Sequence, residues 1–466
     1  MAHGPPPLDL ARLEVLLPRY ETAGPRYTSY PTAPTWTEEF GPEAFREALG
    51  RIESGAELSV YVHVPFCRSL CHFCACNRVI TRDPERPARW LDRVQREIRS
   101  VRRLLPERLR VSQIHWGGGT PTHLSPEQIE ALFGSLAESF PPGADAEISI
   151  EVDPRVTTRE HLLALERCGM NRISLGVQDI DPRVQQAIHR IQPAEQTAAL
   201  VDAARERGFL SVGFDLIYGL PFQTEASFDR TLDAVLAMRP DRIALYAYAH
   251  VTWVAKQQRG FERKDLPSPP RRLAIFLLAL RRLLEAGYRH IGMDHFALPE
   301  DSLSRALDEG TLRRNFMGYT THAGAELVAF GPSAISEVSA CFAQSHRDLE
   351  AWGRAVEEQG LATFRGHALS RDDRERGFAI SGIMCRGELS AADFEARFGS
   401  PLRERFAEEL ARLEPMERDG LVRVEPDGSV ILEPPGRLLV RNVAMVFDAY
   451  LPRQREGERP LFSRTV

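Results

Sequence analysis

Cys67-Arg68-Ser69-Leu70-Cys71-His72-Phe73-Cys74-Ala75-Cys76 is the stretch on which the reading of this chain turns. Four of the chain's seven cysteines fall inside it, while Cys168, Cys341 and Cys385 stand singly. Cys67, Cys71 and Cys74 have the spacing C-x-x-x-C-x-x-C. Three soft thiolates in one short loop suit three irons of a 4Fe–4S cube and leave the fourth iron open to a small molecule. Other chemistries compete for the same residues. A structural zinc site wants four ligands, usually as two separated pairs. Here the second pair is missing, although Cys76 or His72 could complete a cramped site. A disulfide framework belongs to short secreted chains rich in cysteine. A redox C-x-x-C pair would leave the other two cysteines of the loop unexplained.

The residues before the loop say where it sits. Leu58-Ser59-Val60-Tyr61-Val62-His63-Val64 is β-branched and alternating, so it predicts a strand. Pro65 ends the ladder by removing a donor. The loop therefore follows the C-terminal end of a strand, the end at which barrels of parallel strands place chemistry. A regular alternation follows. A helix is expected at about 84–104, strands at 111–116, 146–152, 172–177, 210–218 and 242–248, and helices between them. Ser125-Pro126-Glu127-Gln128 is a capping box that opens one of these helices. Strands alternating with helices predict βαβ units and a parallel sheet, so the fold class is α/β with a partial (β/α)6 barrel. One more amphipathic helix is expected at 271–287, with a further strand at 290–293.

The ends of the chain read differently. Residues 1–35 are rich in proline and lack periodicity, which predicts an arm. Gly41-Pro42 opens a helix to about Arg51. The barrel is assigned to 36–365. From 366 to 466 the pattern becomes helical, with helices near 371–385, 390–398 and 402–418. A hairpin follows (Leu421–Val424, a Pro426-Asp427-Gly428 turn, Val430–Leu432), then a last helix after Gly436. This is a winged-helix-like unit. Such units often bind DNA, but Glu425, Asp427 and Glu433 on the hairpin outnumber Arg423 and would repel phosphates.

Composition bounds the rest. The chain has 466 residues, 43% hydrophobic and 27% charged, with a net charge of −6. That is ordinary globular composition, and it favours neither nucleic acid nor an anionic membrane surface as partner. The N-terminus has no apolar stretch of a signal peptide. The run Leu273–Leu280 is stopped by Arg281-Arg282, too short to span a bilayer. Free thiols without an export signal predict a reducing cytoplasm.

Residues able to carry chemistry cluster at the predicted strand ends. Gly117-Gly118-Gly119-Thr120 follows the second strand, where glycines let backbone approach a ligand; a tight turn is the plainer reading. Glu147, Ser149 and Glu151 share one face of the third strand, and Glu151 closes it. A solvated carboxylate is the plainer reading there. Gln178 ends the fourth strand. Asp215 lies between Phe214 and Leu216 in the fifth, where a carboxylate needs a partner or a ligand. His63 shares a face with Tyr61, and a packing role suits it as well as a functional one. Cys76 is close enough to be a fourth ligand, but a ligand there would block the open iron.

The cysteine triplet with Phe73 before its last member resembles the cluster motif of radical S-adenosylmethionine (SAM) enzymes. Further segments resemble one family among them, the oxygen-independent coproporphyrinogen III oxidases. These are Pro25-Arg26-Tyr27-Thr28-Ser29-Tyr30-Pro31, Cys74-Ala75-Cys76-Asn77 (the family more often has Gly at position 75), His115–Thr122 and Gly292–Ala297. The similarity runs over nearly the whole chain. It implies a radical SAM barrel in which Cys67, Cys71 and Cys74 hold a 4Fe–4S cluster and two SAM molecules bind. Tyr61, Gly118, Glu151 and Ile335 would contact one. Phe73, Gly119, Thr120, Gln178, Arg190, Asp215 and Ala249 would contact the other. Tyr61, Glu151 and Ile335 are the implied catalytic residues.

The resemblance further implies a mechanism. An electron from the reduced cluster splits SAM into methionine and a 5′-deoxyadenosyl radical. The radical takes hydrogen from a propionate β-carbon of coproporphyrinogen III, and loss of CO2 and an electron leaves a vinyl group. A low-potential donor such as flavodoxin or ferredoxin, a monomeric state, and no nucleic-acid or membrane partner complete the expectation. Four substrate carboxylates call for arginine anchors, and Arg26, Arg313 and Arg314 lie near the signature segments. One departure stands out: Met317 occupies a position that is usually Gln in the family, so a hydrogen-bonding amide becomes a thioether. Haem chaperones that resemble these oxidases tend to lack both the N-terminal signature and the C-x-C ending, and this chain has both.

Overall fold

The computed structural model describes residues 9–251, 256–322, 324–452 and 462–465. Residues 1–8 of the expected arm lie outside them, as do 453–461 of the C-terminal region. The chain forms two compact units. One comprises 37–282 and 324–368; the other comprises 9–36, 283–322, 369–452 and 462–465 in the described residues. The division differs from the sequence-based boundaries at 35 and 365 chiefly in segment 283–322, which groups with both chain ends.

The first unit is the barrel sheet. Its six expected strands form as β1 (Glu57–Val64), β2 (Arg110–Gly118), β3 (Pro142–Val152), β4 (Arg172–Gln178), β5 (Ser211–Tyr218) and β6 (Arg242–Ala247). They pair in that order, all parallel. After Glu57 every residue of β1 is buried. That is why it reads as a near-continuous run of Val, Leu and Tyr, since a central parallel strand is covered on both faces. The helices return each strand to the same rim. The Ser125–Gln128 capping box forms as predicted and opens the helix Pro126–Ser139. Because the strands are parallel, Val64, Gly118, Val152 and Gln178 all end at one rim.

Four further strands extend the other edge. β7 (Glu326–Phe330) pairs parallel to β1, and β8 (Ile335–Val338), β9 (Cys341–Ser345) and β10 (Thr363–Ala368) follow antiparallel. Each is six residues or shorter, too brief for alternation to stand out.

The second unit corrects the reading of the N-terminal arm. Leu10–Tyr20 is an α-helix, capped by Asp9, that buries Leu13, Leu16 and Leu17. The i, i+3, i+4 leucines carry it, and Pro18 inside the helix with the prolines before it obscures them. The arm is also tied to the C-terminal region: Tyr27 donates to Asp448 Oδ2 at 2.9 Å, and Arg441 Nε donates to the Pro25 carbonyl at 3.0 Å. Arg289–Gly292 forms the expected strand and pairs with His295–Ala297.

In the C-terminal segment, Arg371–Ser381 runs into a π-helical turn at Gly382–Arg386, so the helix expected to 385 ends early. The helix expected at 402–418 is three short pieces, interrupted where Phe406 leaves helical geometry and again before Glu414, where Pro415 sits in the first turn of the last piece. Strands Glu388–Leu389, Val430–Leu432 and Val422–Val424 form the wing sheet. Phe394, Phe406 and Phe447 are its fully buried aromatics, meeting edge to face. Among the described residues no helix is long and apolar enough to cross a membrane.

Candidate active site

The cysteine loop leaves the end of β1 and is held from several sides. Phe66–Cys67 pairs with Val79–Ile80, closing the loop on itself. His72 donates its backbone N–H to Ile188 O at 2.9 Å and its ring stacks on His189 at 5.3 Å. Gln258 Nε2 reaches both the Phe73 and Ala249 carbonyls at 3.0 Å, which brings the segment after β6 onto the loop. His63 is a clamp. Tyr61 Oη donates to its Nδ1 at 3.2 Å, and its Nε2 donates to the Asn77 carbonyl at 2.9 Å. Burial lowers the His63 pKa, which keeps the ring in that neutral tautomer.

The glycine row is packed against this loop. A Cβ on Gly119 would lie 2.8 Å from Phe66 O, and one on Gly118 would lie 2.8 Å from the His63 ring. Gly119 N–H donates to Val64 O at 2.8 Å. The glycines therefore exist so that β2 can end against the backbone that carries the cysteines.

A cleft opens at this rim, with an empty volume of about 980 Å³ that includes the open solvent at its mouth. Its lining brings together Cys67, Cys71, Phe73, Cys74, Gly118, Gly119, Thr120, Glu151, Gln178, Arg190 and Asp215. Among the sequence-derived residues, Tyr61, Ala249 and Ile335 do not line it. Tyr61 is buried in β1 with its ring stacked on His115 at 5.9 Å. Ala249 follows β6, and Ile335 opens β8 opposite Gln344.

The charges in the cleft are set by their neighbours. Burial opposes ionisation of Glu151, but His115, 3.6 Å away, and the Gly118 N–H at 3.1 Å hold its carboxylate below the usual range. At Asp215 burial, with Glu151 adding to it, outweighs the opposing charge of Arg190 and pushes the carboxyl up to about 7. Gln178 sits at φ +67° beside a register shift in β4, so the strand kinks and re-aims it. Arg190 donates to Gly176 O at 2.6 Å and to Asp153 Oδ2 at 3.2 Å, and its buried Nε has no partner among the described residues.

The three cysteines differ in company. Cys71 Sγ receives Arg155 Nη2 at 3.4 Å and Arg190 Nη1 at 3.8 Å. Cys67 faces the Thr120 hydroxyl at 3.4 Å, and Cys74 receives the Cys76 N–H at 3.4 Å. Among the described residues no three His, Cys, Asp or Glu side chains converge on a single ion. A cubane spreads three thiolates over three irons, so convergence on one point is not what it needs.

Sequence reasoning missed Asp153, Arg155 and Ser174, which also line the cleft. Asp153-Pro154-Arg155 directly follows β3, so its position at a strand end was the available signal. The arginines considered as anchors lie in the other unit. Arg26 is ion-paired with Asp294, which in turn contacts His295 at 2.7 Å. Arg314 lies over the Tyr319 ring at 4.7 Å, with a buried Nη1 that has no partner among the described residues. Burial lowers the Arg313 pKa. Met317 donates its N–H to Asn315 Oδ1 at 2.9 Å.

A parallel partial barrel with a three-cysteine loop at its rim defines the radical SAM class, and the radical SAM superfamily matches residues 61–235. The HemN C-terminal domain matches residues 369–439. The oxygen-independent coproporphyrinogen III oxidase of Escherichia coli (strain K12) is 45% identical over 451 residues, covering 97% of this chain and 98% of that protein. That of Pseudomonas aeruginosa is 44% identical over 466 residues, covering 98% and 100%. The solved structure of coproporphyrinogen III oxidase (HemN) from Escherichia coli, described as a radical SAM enzyme, superposes with a TM-score of 0.90. It is 43% identical and covers 95% of this chain and 99% of that one. The chain belongs to the oxygen-independent coproporphyrinogen III oxidases.

Proposed function

We propose that this chain converts two propionate side chains of coproporphyrinogen III to vinyl groups without oxygen, giving protoporphyrinogen IX in haem biosynthesis. Cys67, Cys71 and Cys74 hold a 4Fe–4S cluster, and Cys76 stays unligated. The donor set suits this: three thiols in one loop, each beside a hydrogen-bond donor that can stabilise a thiolate. Once bound, the cluster and SAM supply an electron and a 5′-deoxyadenosyl radical to remove hydrogen from the propionate β-carbon, with CO2 and one electron leaving.

The chain's residues bind and orient. Tyr61, Gly118, Glu151 and Ile335 would contact one SAM, with Tyr61, Glu151 and Ile335 as the catalytic residues. Phe73, Gly119, Thr120, Gln178, Arg190, Asp215 and Ala249 contact a second. An ionised Glu151 suits an ammonium group. The Arg190 Nε, without a partner among the described residues, suits a carboxylate, and Asp215 suits ribose hydroxyls or the cationic end of SAM. Arg313 and Arg314 are the better anchors for substrate carboxylates, since Arg26 already answers Asp294. The enzyme works as a cytoplasmic monomer, reduced by a flavodoxin or ferredoxin. It takes no nucleic acid, because Arg423 on the wing is already paired with Glu425 and Glu433.

The observation that carries this reading is the cysteine loop pressed against Gly118 and Gly119 at the mouth of a cleft bearing Glu151, Arg190 and Asp215. The test is an anaerobic assay of reconstituted protein with SAM, a low-potential reductant and coproporphyrinogen III. Protoporphyrinogen IX should form, and should be absent with Cys71→Ser. Formation of 5′-deoxyadenosine without any vinyl product would remove the substrate assignment while leaving the radical chemistry.

A further inference from the structure

A second cavity also reaches the cysteine loop, through Arg68. Arg68 lines both cavities, and Arg82, Asp83, His123, Gln128 and His161 contribute to the second. Arg68 and Arg82 are exposed, and neither has an acidic partner among the described residues. Asp83 is the one carboxylate in the lining, and its Oδ1 already accepts the Glu85 N–H at 3.0 Å. Burial, with Arg68 adding to it, pushes His123 down to about 4, so the rim's positive charge rests on the arginines.

The cavity floor leads to the cluster loop. The His123 ring lies 5.7 Å from the ring of Phe66, the residue before Cys67. Ile80, paired with Cys67 in the short parallel ladder, is 40% exposed, one of few large apolar side chains left at the surface. Ile80 and Arg82 share the outward face of this extended segment, while Thr81 between them is buried. An exposed isoleucine near exposed arginines, itself the ladder partner of the proposed ligand Cys67, makes a small basic surface with an apolar centre.

We propose that this surface, centred on Ile80 and Arg82 with Arg68 at its edge, docks the acidic face of the protein that reduces the cluster. The inference rests on the cluster assignment above. Unpaired arginines steer an acidic partner and fix its orientation. Ile80 supplies the desolvated contact at the centre. Electron transfer weakens steeply with distance, and the Phe66–Cys67 end of the loop is the part this surface covers. One electron passes from the reduced donor to the cluster, with no bond formed or broken.

The test compares reconstituted wild type with Arg82→Glu and Ile80→Glu/Arg82→Glu, both at exposed positions away from the first cleft. Cluster reduction is followed by its absorbance, using a reduced bacterial flavodoxin in one series and a photoreduced deazaflavin in the other. With flavodoxin at low salt, the second-order rate constant should fall at least tenfold in the double variant. Its dependence on ionic strength should also flatten relative to wild type. Deazaflavin reduction should be unchanged. Wild-type rates in the variants with flavodoxin would overturn the proposal. Equal slowing with both reductants would overturn it too, because the substitutions would then act on the cluster. A wild-type protein that takes up no cluster would instead sink the underlying assignment, and the iron analysis made before the kinetics reports that separately.

Discussion

Replacing Gly118 by alanine should cost this protein both stability and cluster. Gly118 has φ +116°, a region that L-residues rarely adopt. Holding an alanine there costs roughly 1–3 kcal/mol. The new methyl would also lie 2.8 Å from His63 Cε1 and 2.9 Å from Val64 O. His63 cannot swing aside without losing Tyr61 and the Asn77 carbonyl, and Val64 O is backbone already bonded to Gly119 N–H. Such overpacking adds roughly 1–3 kcal/mol. The sum, about 2–6 kcal/mol, is a large part of an ordinary folding free energy. Gly119→Ala separates the two causes. Its Cβ would lie 2.8 Å from Phe66 O and 2.9 Å from Pro65 O, but its φ is not in the positive region. Urea denaturation should therefore rank wild type above Gly119→Ala and Gly119→Ala above Gly118→Ala. Both variants should retain less iron after anaerobic reconstitution, because the collision falls on residues 63–66, which lead into Cys67. A Gly118→Ala protein with the wild-type midpoint and full iron content would refute the claim that backbone closeness dictates this glycine row.

Two further outcomes follow from the charges in the cleft. Asp215, at about 7, is protonated below that pH and ionised above it, while Glu151 is held low. SAM is cationic, so its affinity should rise about tenfold from pH 6 to pH 8 if only ionised Asp215 binds it, and Asp215→Asn should abolish the slope. Anaerobic equilibrium dialysis reads this directly; a slope that persists in the variant would clear Asp215 of the effect. Arg155→Gln removes a cation that donates to Cys71 Sγ at 3.4 Å. A reduced cluster carries more negative charge, so its midpoint potential should move lower, with Arg155→Lys intermediate. A redox titration followed by electron paramagnetic resonance measures the shift, and an unmoved potential would show that Arg155 only braces Asp153.

What the sequence made legible depended on length and repetition. The six barrel strands announce themselves because each is a β-branched run between helices, and parallel pairing then sends all their ends to one rim. Glu151, Gln178 and the Gly118–Thr120 turn could be nominated from position alone for that reason. β7 to β10 could not, because four to six residues carry too few alternations. The helix Leu10–Tyr20 was hidden by neighbouring prolines, although Leu13, Leu16 and Leu17 have the right spacing. Ala249 and Ile335 are apolar residues that reasoning from chemistry leaves in the core. They enter through family similarity, and neither lines the main cleft.

The cysteines show where a motif stops informing. In C-x-x-x-C-x-x-C the three thiols are equivalent, yet in the fold they are not. Cys71 faces two guanidinium groups, both tied to Asp153; Cys67 meets a neutral hydroxyl and Cys74 a backbone N–H. The cationic side of the cluster site is therefore supplied by residues 79 or more positions away in sequence from any cysteine-loop residue they could be read with, from the turn after β3 and the loop after Pro182–Ala187. Spacing identifies which atoms can bind iron. Which cations stand beside a given thiol is not in the spacing: Arg155 and Arg190 reach Cys71 only through the closing of the sheet.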